Sequence, residues 1–207
     1  VIVHRRDLVE SEVTRIDGLW VTSMVRTLVD LACDGAFRDA VAAIDHARHQ
    51  HGGMIRPDDL VRTIQTVAPR RAARGRRAVD FSTELAMSPL ESLSRVVIAE
   101  LGFPRRVLQH VFPTSRGRRL VDFWWPAERV VGECDGKVKY EAERYVAGRS
   151  AADVMWSEKL RENELSSDGV RLARWTWVDC IQSSRLATRL GAAGLRPSPA
   201  TPPTPRR

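Results

Sequence analysis

Cysteine is scarce and scattered. Cys33, Cys134 and Cys180 stand far apart, form no C-x-x-C pair and leave an odd one out. That argues against a disulfide framework or a structural zinc finger, and it points to a reducing compartment, the cytoplasm. No run approaches the ~20 apolar residues that a bilayer span requires, so no membrane partner is expected. Nor does a secretory leader, with its charged, apolar and small-residue zones, open the chain. Lysine is nearly missing: only Lys137, Lys139 and Lys159 occur among 33 basic residues. Such a bias toward arginine follows most simply from the nucleotide composition of the source genome and carries little functional weight. No internal repeat is visible.

What is present is ordinary for a folded protein. With 43% hydrophobic and 29% charged residues over 207 positions, the chain is neither wholly disordered nor an integral membrane protein. At about 150 residues per domain it holds one or two cores. The net charge of +7 makes polyanions natural partners. Charge concentrates at Arg70, Arg71, Arg74, Arg76 and Arg77, and again at Arg116, Arg118 and Arg119. Each cluster has two readings, a solvated surface or a set of phosphate contacts.

Residues 1–80 read as a small, mainly helical module. Val1–Val3 has the look of a strand already under way, which leads us to expect chain preceding residue 1. Leu19–Thr22 is a strand, and Thr22 or Ser23 caps a helix carrying Val25, Leu28, Val29 and Ala32, closed by Gly35. A second helix, Phe37–His51, spaces Val41, Ile44 and Ala47 and stops at Gly52-Gly53. Pro57 opens a third, with Leu60, Val61, Ile64 and Val67 inward. His46, His49 and His51 are read as solvent-facing helix positions rather than metal ligands. Pro69–Arg77 reads as a linker or surface helix.

The pattern changes at Ser88. Ser88-Pro89-Leu90-Glu91 offers an N-cap, a proline at N1 and a glutamate at N3 ahead of a helix through Leu101, ended by Gly102. Three strands follow, Val107–Phe112, Arg119–Trp125 and Arg129–Asp135, with connections short enough for a hairpin meander. A helix at Asp153–Ser167, a strand at Val170–Trp177 and a closing helix at Val178–Leu190 complete residues 86–195. From Arg196 to Arg207 the proline-rich sequence predicts a disordered tail. The fold class is therefore α/β, a mixed sheet flanked by helices.

Chemistry concentrates at residues 120–140. Asp122 lies in an apolar, aromatic strand, and Glu133 and Asp135 follow Val130 and Val131 in the next. Carboxylates in central strands carry a heavy desolvation penalty unless paired or bound to a cation. In an extended chain Glu133, Asp135, Lys137 and Lys139 share one face, and hairpin pairing can bring Asp122 beside them. Hard oxygen ligands with a nearby lysine suit Mg2+-assisted phosphodiester hydrolysis, with Mn2+ as a substitute; ordinary salt bridges to Lys137, Lys139 or an arginine are the competing account. Glu91 reads from its position as a capping residue. Trp124, Trp125, Trp156, Trp175 and Trp177 read as core before they read as base-stacking platforms.

The helix bearing Glu91, V-D-F at 121–123, E-x-D-G at 133–136 and R-W-T-W at 174–177 together resemble the PD-(D/E)XK nuclease superfamily. The likeness is greatest to its branch similar to the very-short-patch repair endonucleases, over about residues 86–190. The resemblance implies a restriction-endonuclease-like fold in which Asp122 and Glu133 bind metal, Asp135 supports them and Glu91 completes the site. Lys139 falls where relatives often have histidine, and Arg161, Glu162 and Arg174 match charged positions. The chain departs from the superfamily's E-x-K, because Asp135 stands where the lysine would be; the water-activating role then falls to Lys137 or Lys139. In the N-terminal third, H-R-R at 4–6, W-V-T-S at 20–23, R-T-L-V-D at 26–30 and I-D-H-A at 44–47 resemble the C-terminal region of antitoxins of abortive-infection type IV toxin–antitoxin systems. That likeness implies a winged helix upstream and a possible toxin partner.

Two functions follow as expectations. The first is a metal-dependent DNA endonuclease, with Asp122, Glu133, Asp135, Lys137 and Lys139 in the chemistry and Arg116, Arg118, Arg119 and Arg174 on the DNA. The second is a DNA-binding regulator or antitoxin whose nuclease-like domain is inactive and serves assembly, as a homo-oligomer or with a toxin.

Overall fold

The computed structural model describes residues 6–114, 117–135 and 169–198, and the chain divides into two units, Val1–Met87 and Ser88–Arg207. In the first unit, β1 (Val13–Ile16) and β2 (Leu19–Thr22) pair antiparallel around Asp17-Gly18. Both turn residues have positive φ, 49° and 83°. That is the backbone a two-residue hairpin demands and Asp-Gly supplies. The sequence reading recognised β2 and overlooked β1, and the strand expected at Val1–Val3 lies outside the described residues.

Four helices follow: α1 (Met24–Asp34), α2 (Phe37–His51), α3 (Pro57–Val67) and α4 (Ala72–Phe81). Ser23 caps the first, its hydroxyl accepting from the Arg26 N–H, and Pro57 begins the third. Leu28, Val29, Ile44, Leu60, Ile64 and Val79 fill the core between them. The stretch read as a linker or surface helix is a short turn, Pro69–Arg71, running into α4, which contributes Ala78 and Val79 to that core. Gly75 allows the approach: a Cβ there would stand 2.8 Å from Cys33 Sγ. Arg26 is buried, against the usual habit of its type, because Glu12 at 2.7 Å and Asp30 at 3.1 Å neutralise it.

The second unit opens with α5 (Pro89–Glu100), whose N-cap is the Ser88 hydroxyl, accepting from the Glu91 N–H at 3.2 Å. Its sheet runs in the order β3 (Val107–Thr114), β4 (Gly117–Trp125), β5 (Val130–Asp135), β6 (Arg171–Thr176). The first three strands form the antiparallel meander read from the sequence, and β6 lies parallel to β5, so the sheet is mixed. Pro113, which cannot donate a ladder hydrogen bond, sits on terminal strand β3.

The closing helix, expected as one piece, is two: α6 (Trp177–Ile181) and α7 (Ser183–Ala192), broken at Gln182 (φ −96°, ψ 77°). Helices α5, α6 and α7 cover one face of the sheet, packing Leu93, Val97, Cys180, Leu186 and Leu190 against Phe123, Trp125, Val130 and Trp175. Trp125 and Trp175 are core residues, as their type suggested, and Trp124 is partly buried, but Trp177, also read as core, is 48% exposed, and Trp156 lies outside the described residues. The helix expected at Asp153–Ser167 lies outside the described residues, as do residues 199–207 of the expected tail, whereas at its start Arg196 donates to the Gly191 carbonyl at 2.8 Å and the Ser198 N–H to the Gly102 carbonyl at 2.9 Å. No described helix is long and apolar enough to cross a membrane.

Candidate metal centre

On the sheet face that meets α5, three potential ligands converge. A carboxylate oxygen of Glu91, one of Asp122 and the sulfur of Cys134 all lie within 4.8 Å of one another. Three elements supply them. Glu91 projects from the first turn of α5, Asp122 comes from β4, and Cys134 from the end of β5. Cys134 also packs on the core cluster below the helices, which fixes the face it occupies.

Asp122 reaches that face through an irregularity in the sheet. The β3–β4 register passes from Leu108↔Phe123 to His110↔Val121, and between them Gln109 takes a left-handed backbone conformation with φ 48°. The β4–β5 register runs from Trp125↔Val130 to Phe123↔Gly132. Beyond it the Asp122 side chain, in place of a backbone carbonyl, accepts the Cys134 N–H at 2.9 Å. The Cys134 thiol donates to the same Oδ2 at 3.4 Å.

Glu91 takes part in the helix cap, as its sequence position suggested, while its carboxylate stands in the trio. Its N–H is capped by Ser88, the Ser88 hydroxyl donates to Oε1 at 2.9 Å, and Gln109 Nε2 donates to Oε2 at 2.8 Å. A carboxylate so held is oriented before any ligand arrives. The other atom of that same amide, Gln109 Oε1, is buried and has no hydrogen-bond partner among the described residues. An orphaned buried acceptor is rare in a folded protein, and on the amide that holds Glu91 it fits a cation that would satisfy it.

Electrostatics agree with that fit. Burial pushes the Asp122 carboxyl up to about 6; the Glu91 and Glu133 charges add to the shift, and the hydrogen bonds from Cys134 oppose it. Burial, then the Asp122 and Glu91 charges, raises the Cys134 thiol far above its ordinary range. Bringing a divalent cation among such groups reverses these pressures, favouring carboxylate and thiolate.

The remaining expected site residues divide between places. Glu133 stands outside the trio. Cys134 faces the helices, so its neighbour faces away, and the Glu133 carboxylate is held there by Arg119 and by Arg174 Nε, the latter at 3.3 Å. Two of the four arginines expected on DNA, Arg119 and Arg174, are therefore brought to this acid. Arg118 is exposed near the start of β4, and half-buried Asp135 ends β5 opposite Thr176. Lys137, Lys139 and Arg116 lie outside the described residues, as do Arg161 and Glu162.

Sequence reasoning missed Cys134 and Gln109. A period-two pattern placed Glu133 and Asp135 on the working face, and nothing in the sequence marks the left-handed residue that lets Asp122 meet the other one.

In the first unit the arginine cluster is largely engaged locally. Arg71 pairs with Asp34, Arg74 donates to the Gly35 carbonyl at 2.5 Å, Arg76 pairs with Asp80 at 3.7 Å, and Arg77 lies 4.4 Å above the Phe37 ring. His46 and His51 are exposed, and His49 Nδ1 lies 3.0 Å from the Glu84 carbonyl oxygen.

Comparisons with family models, curated proteins and solved structures find no match for this chain.

Proposed function

We propose that the second unit is a metal-dependent DNA endonuclease domain that hydrolyses phosphodiester bonds in the cytoplasm. One observation carries the reading: Glu91 and Asp122, far apart in sequence, meet at a pre-oriented site beside the orphaned Gln109 Oε1. When bound, a divalent cation, expected from the sequence to be Mg2+ with Mn2+ as a substitute, polarises a phosphate oxygen and acidifies a water. Glu91 and Asp122 are the residues that would hold it. Gln109 keeps Glu91 in position through Nε2, and the Cys134 N–H keeps Asp122 turned toward the helices.

Glu133 serves this reading as the anchor of Arg119 and Arg174. Guanidinium groups suit phosphate oxygens, and the Glu133 carboxylate keeps both arginines ordered on that face of the sheet. Asp135 supports the end of β5, and the general acid or base falls to Lys137 or Lys139. Arg116 and Arg118 are assigned to the DNA backbone. The test is conversion of supercoiled plasmid to open circles with Mg2+ or Mn2+, prevented by EDTA and by Asp122→Ala.

A second reading has one observation in its favour. Position 135 holds an aspartate where E-x-K nucleases have lysine, which favours a DNA-binding regulator or antitoxin whose nuclease-like domain serves assembly, with a toxin or with another copy of the chain.

A further inference from the structure

The donor set at Asp122 differs from that of a purely hard-cation site in one atom, the Cys134 sulfur. Mg2+ takes oxygen ligands in a near-ideal octahedron and has little use for a thiol, whereas Zn2+ and Co2+ accept oxygen and sulfur together in tetrahedral sites. We propose that Glu91, Asp122 and Cys134 bind a borderline divalent transition cation of the Zn2+ and Co2+ class through two carboxylate oxygens and the Cys134 thiolate, with Gln109 Oε1 as the fourth donor. The inference rests on the nuclease reading for the purpose of the site and changes the identity of its metal.

Geometry supports the assignment. A tetrahedral cation with arms of roughly 2.3 Å to sulfur and roughly 2.0 Å to oxygen sets those two ligand atoms about 3.5 Å apart. Cys134 Sγ and Asp122 Oδ2 are 3.4 Å apart. The N–H of Cys134 holds Asp122 at 2.9 Å, so the sulfur and the carboxylate are tied through one residue's backbone. Gln109 supplies the independent observation: its Nε2 is committed to Glu91, while its Oε1 is buried and without a partner among the described residues. A neutral carbonyl oxygen there adds a donor without adding a third carboxylate charge. On binding, the thiol proton leaves to solvent and a cation–sulfur bond takes its place.

The two other cysteines serve as internal controls. Cys33 is buried in the first unit, and Cys180 is buried with its sulfur 3.3 Å from the Ser94 hydroxyl. Neither belongs to the trio.

The experiment is a Co2+ titration of the full chain followed by near-ultraviolet absorbance. We expect a thiolate-to-cobalt charge-transfer band that saturates at one equivalent, persists in Cys33→Ser, disappears with stoichiometric Zn2+ and survives excess Mg2+. Cys134→Ser should remove the band and weaken Co2+ binding about tenfold or more. Should that variant fail to fold, by circular dichroism, the wild-type chain still decides: Zn2+ should protect Cys134, and not Cys33, from alkylation read by mass spectrometry. A band that survives in folded Cys134→Ser overturns the inference. So does Co2+ binding by calorimetry with no band, or alkylation of Cys134 that Zn2+ leaves unchanged. The nuclease reading fails separately. Mg2+-supported plasmid nicking with no cobalt band would remove this inference alone, and a cobalt band with no cleavage of any DNA would remove the nuclease alone.

Discussion

The carboxylate of Asp122 accepts the backbone N–H of Cys134, 12 residues further along the chain, at 2.9 Å. That bond holds the carboxylate on the face that meets α5, which Asp122 reaches through the irregularity at Gln109. It also leaves Asp122 half-buried beside a like charge, which has a measurable consequence for stability.

Asp122 in the folded chain has its pKa raised to about 6, by burial first and by Glu91 next. Unfolded, the same group titrates near 3.9, so between about pH 4 and 6 the unfolded state sheds its proton first and stability falls as pH rises. Above pH 6 the penalty is complete. Asp122→Asn, which can still accept the Cys134 N–H, should therefore stabilise the metal-free protein at pH 7.5 by about 1–3 kcal/mol and change little near pH 4. Denaturant unfolding in EDTA at the two pH values checks this; equal effects at both would refute it.

Asp179 makes the opposite prediction. It is fully buried, accepts from the Thr176 N–H at 2.9 Å, and meets Arg185 and Arg189 at 3.0 Å each. Burial alone would raise its pKa, but the Thr176 and arginine hydrogen bonds overcome that and hold it at about 2. A depressed pKa contributes stability above the unfolded value, lost as pH falls from about 4 to 2. Asp179→Asn should cost about 2 kcal/mol at pH 7, the difference closing as the pH approaches 2. Thermal melts of the two proteins across that range provide the measurement.

Gly132 sits where β5 passes under two indoles. A Cβ there would meet Trp175 at 2.5 and 2.8 Å and Trp125 at 2.9 Å, and both rings are buried. Gly132→Ala should destabilise the second unit by about 1–3 kcal/mol through overpacking. Chemical denaturation followed by tryptophan fluorescence would show it; a neutral result would mean the rings shift without penalty.

Much of this fold was legible because its signals are local. Ser23, Gly52, Pro57, Ser88-Pro89 and Gly102 mark helix ends through caps, fixed φ and positive φ, and α1, α2, α3 and α5 lie close to where these residues put them. Asp17-Gly18 is an equally local hairpin signal, but Val13–Ile16 does not alternate cleanly and carries no strand signal of its own. The site was legible only in part. Asp122 and Glu91 stand out as acids in apolar settings. Which face of β5 meets them depends on Val130 and Cys134 packing under the helices, a long-range outcome that no spacing within β5 encodes. Buried Arg26 is similar: its burial depends on Glu12 and Asp30 arriving together.

The most direct test of the nuclease account measures DNA binding and DNA cleavage on the same preparations of wild type and Asp122→Asn, with Mn2+ and with EDTA. Because Asp122 is assigned to the cation and the arginines to the phosphates, the account predicts metal-dependent nicking by wild type. It predicts at least about a hundredfold loss in Asp122→Asn, with DNA affinity within about threefold of wild type. Wild-type protein that binds DNA but cleaves no duplex, mismatched or single-stranded substrate, or an Asp122→Asn variant that cleaves as fast, would contradict it.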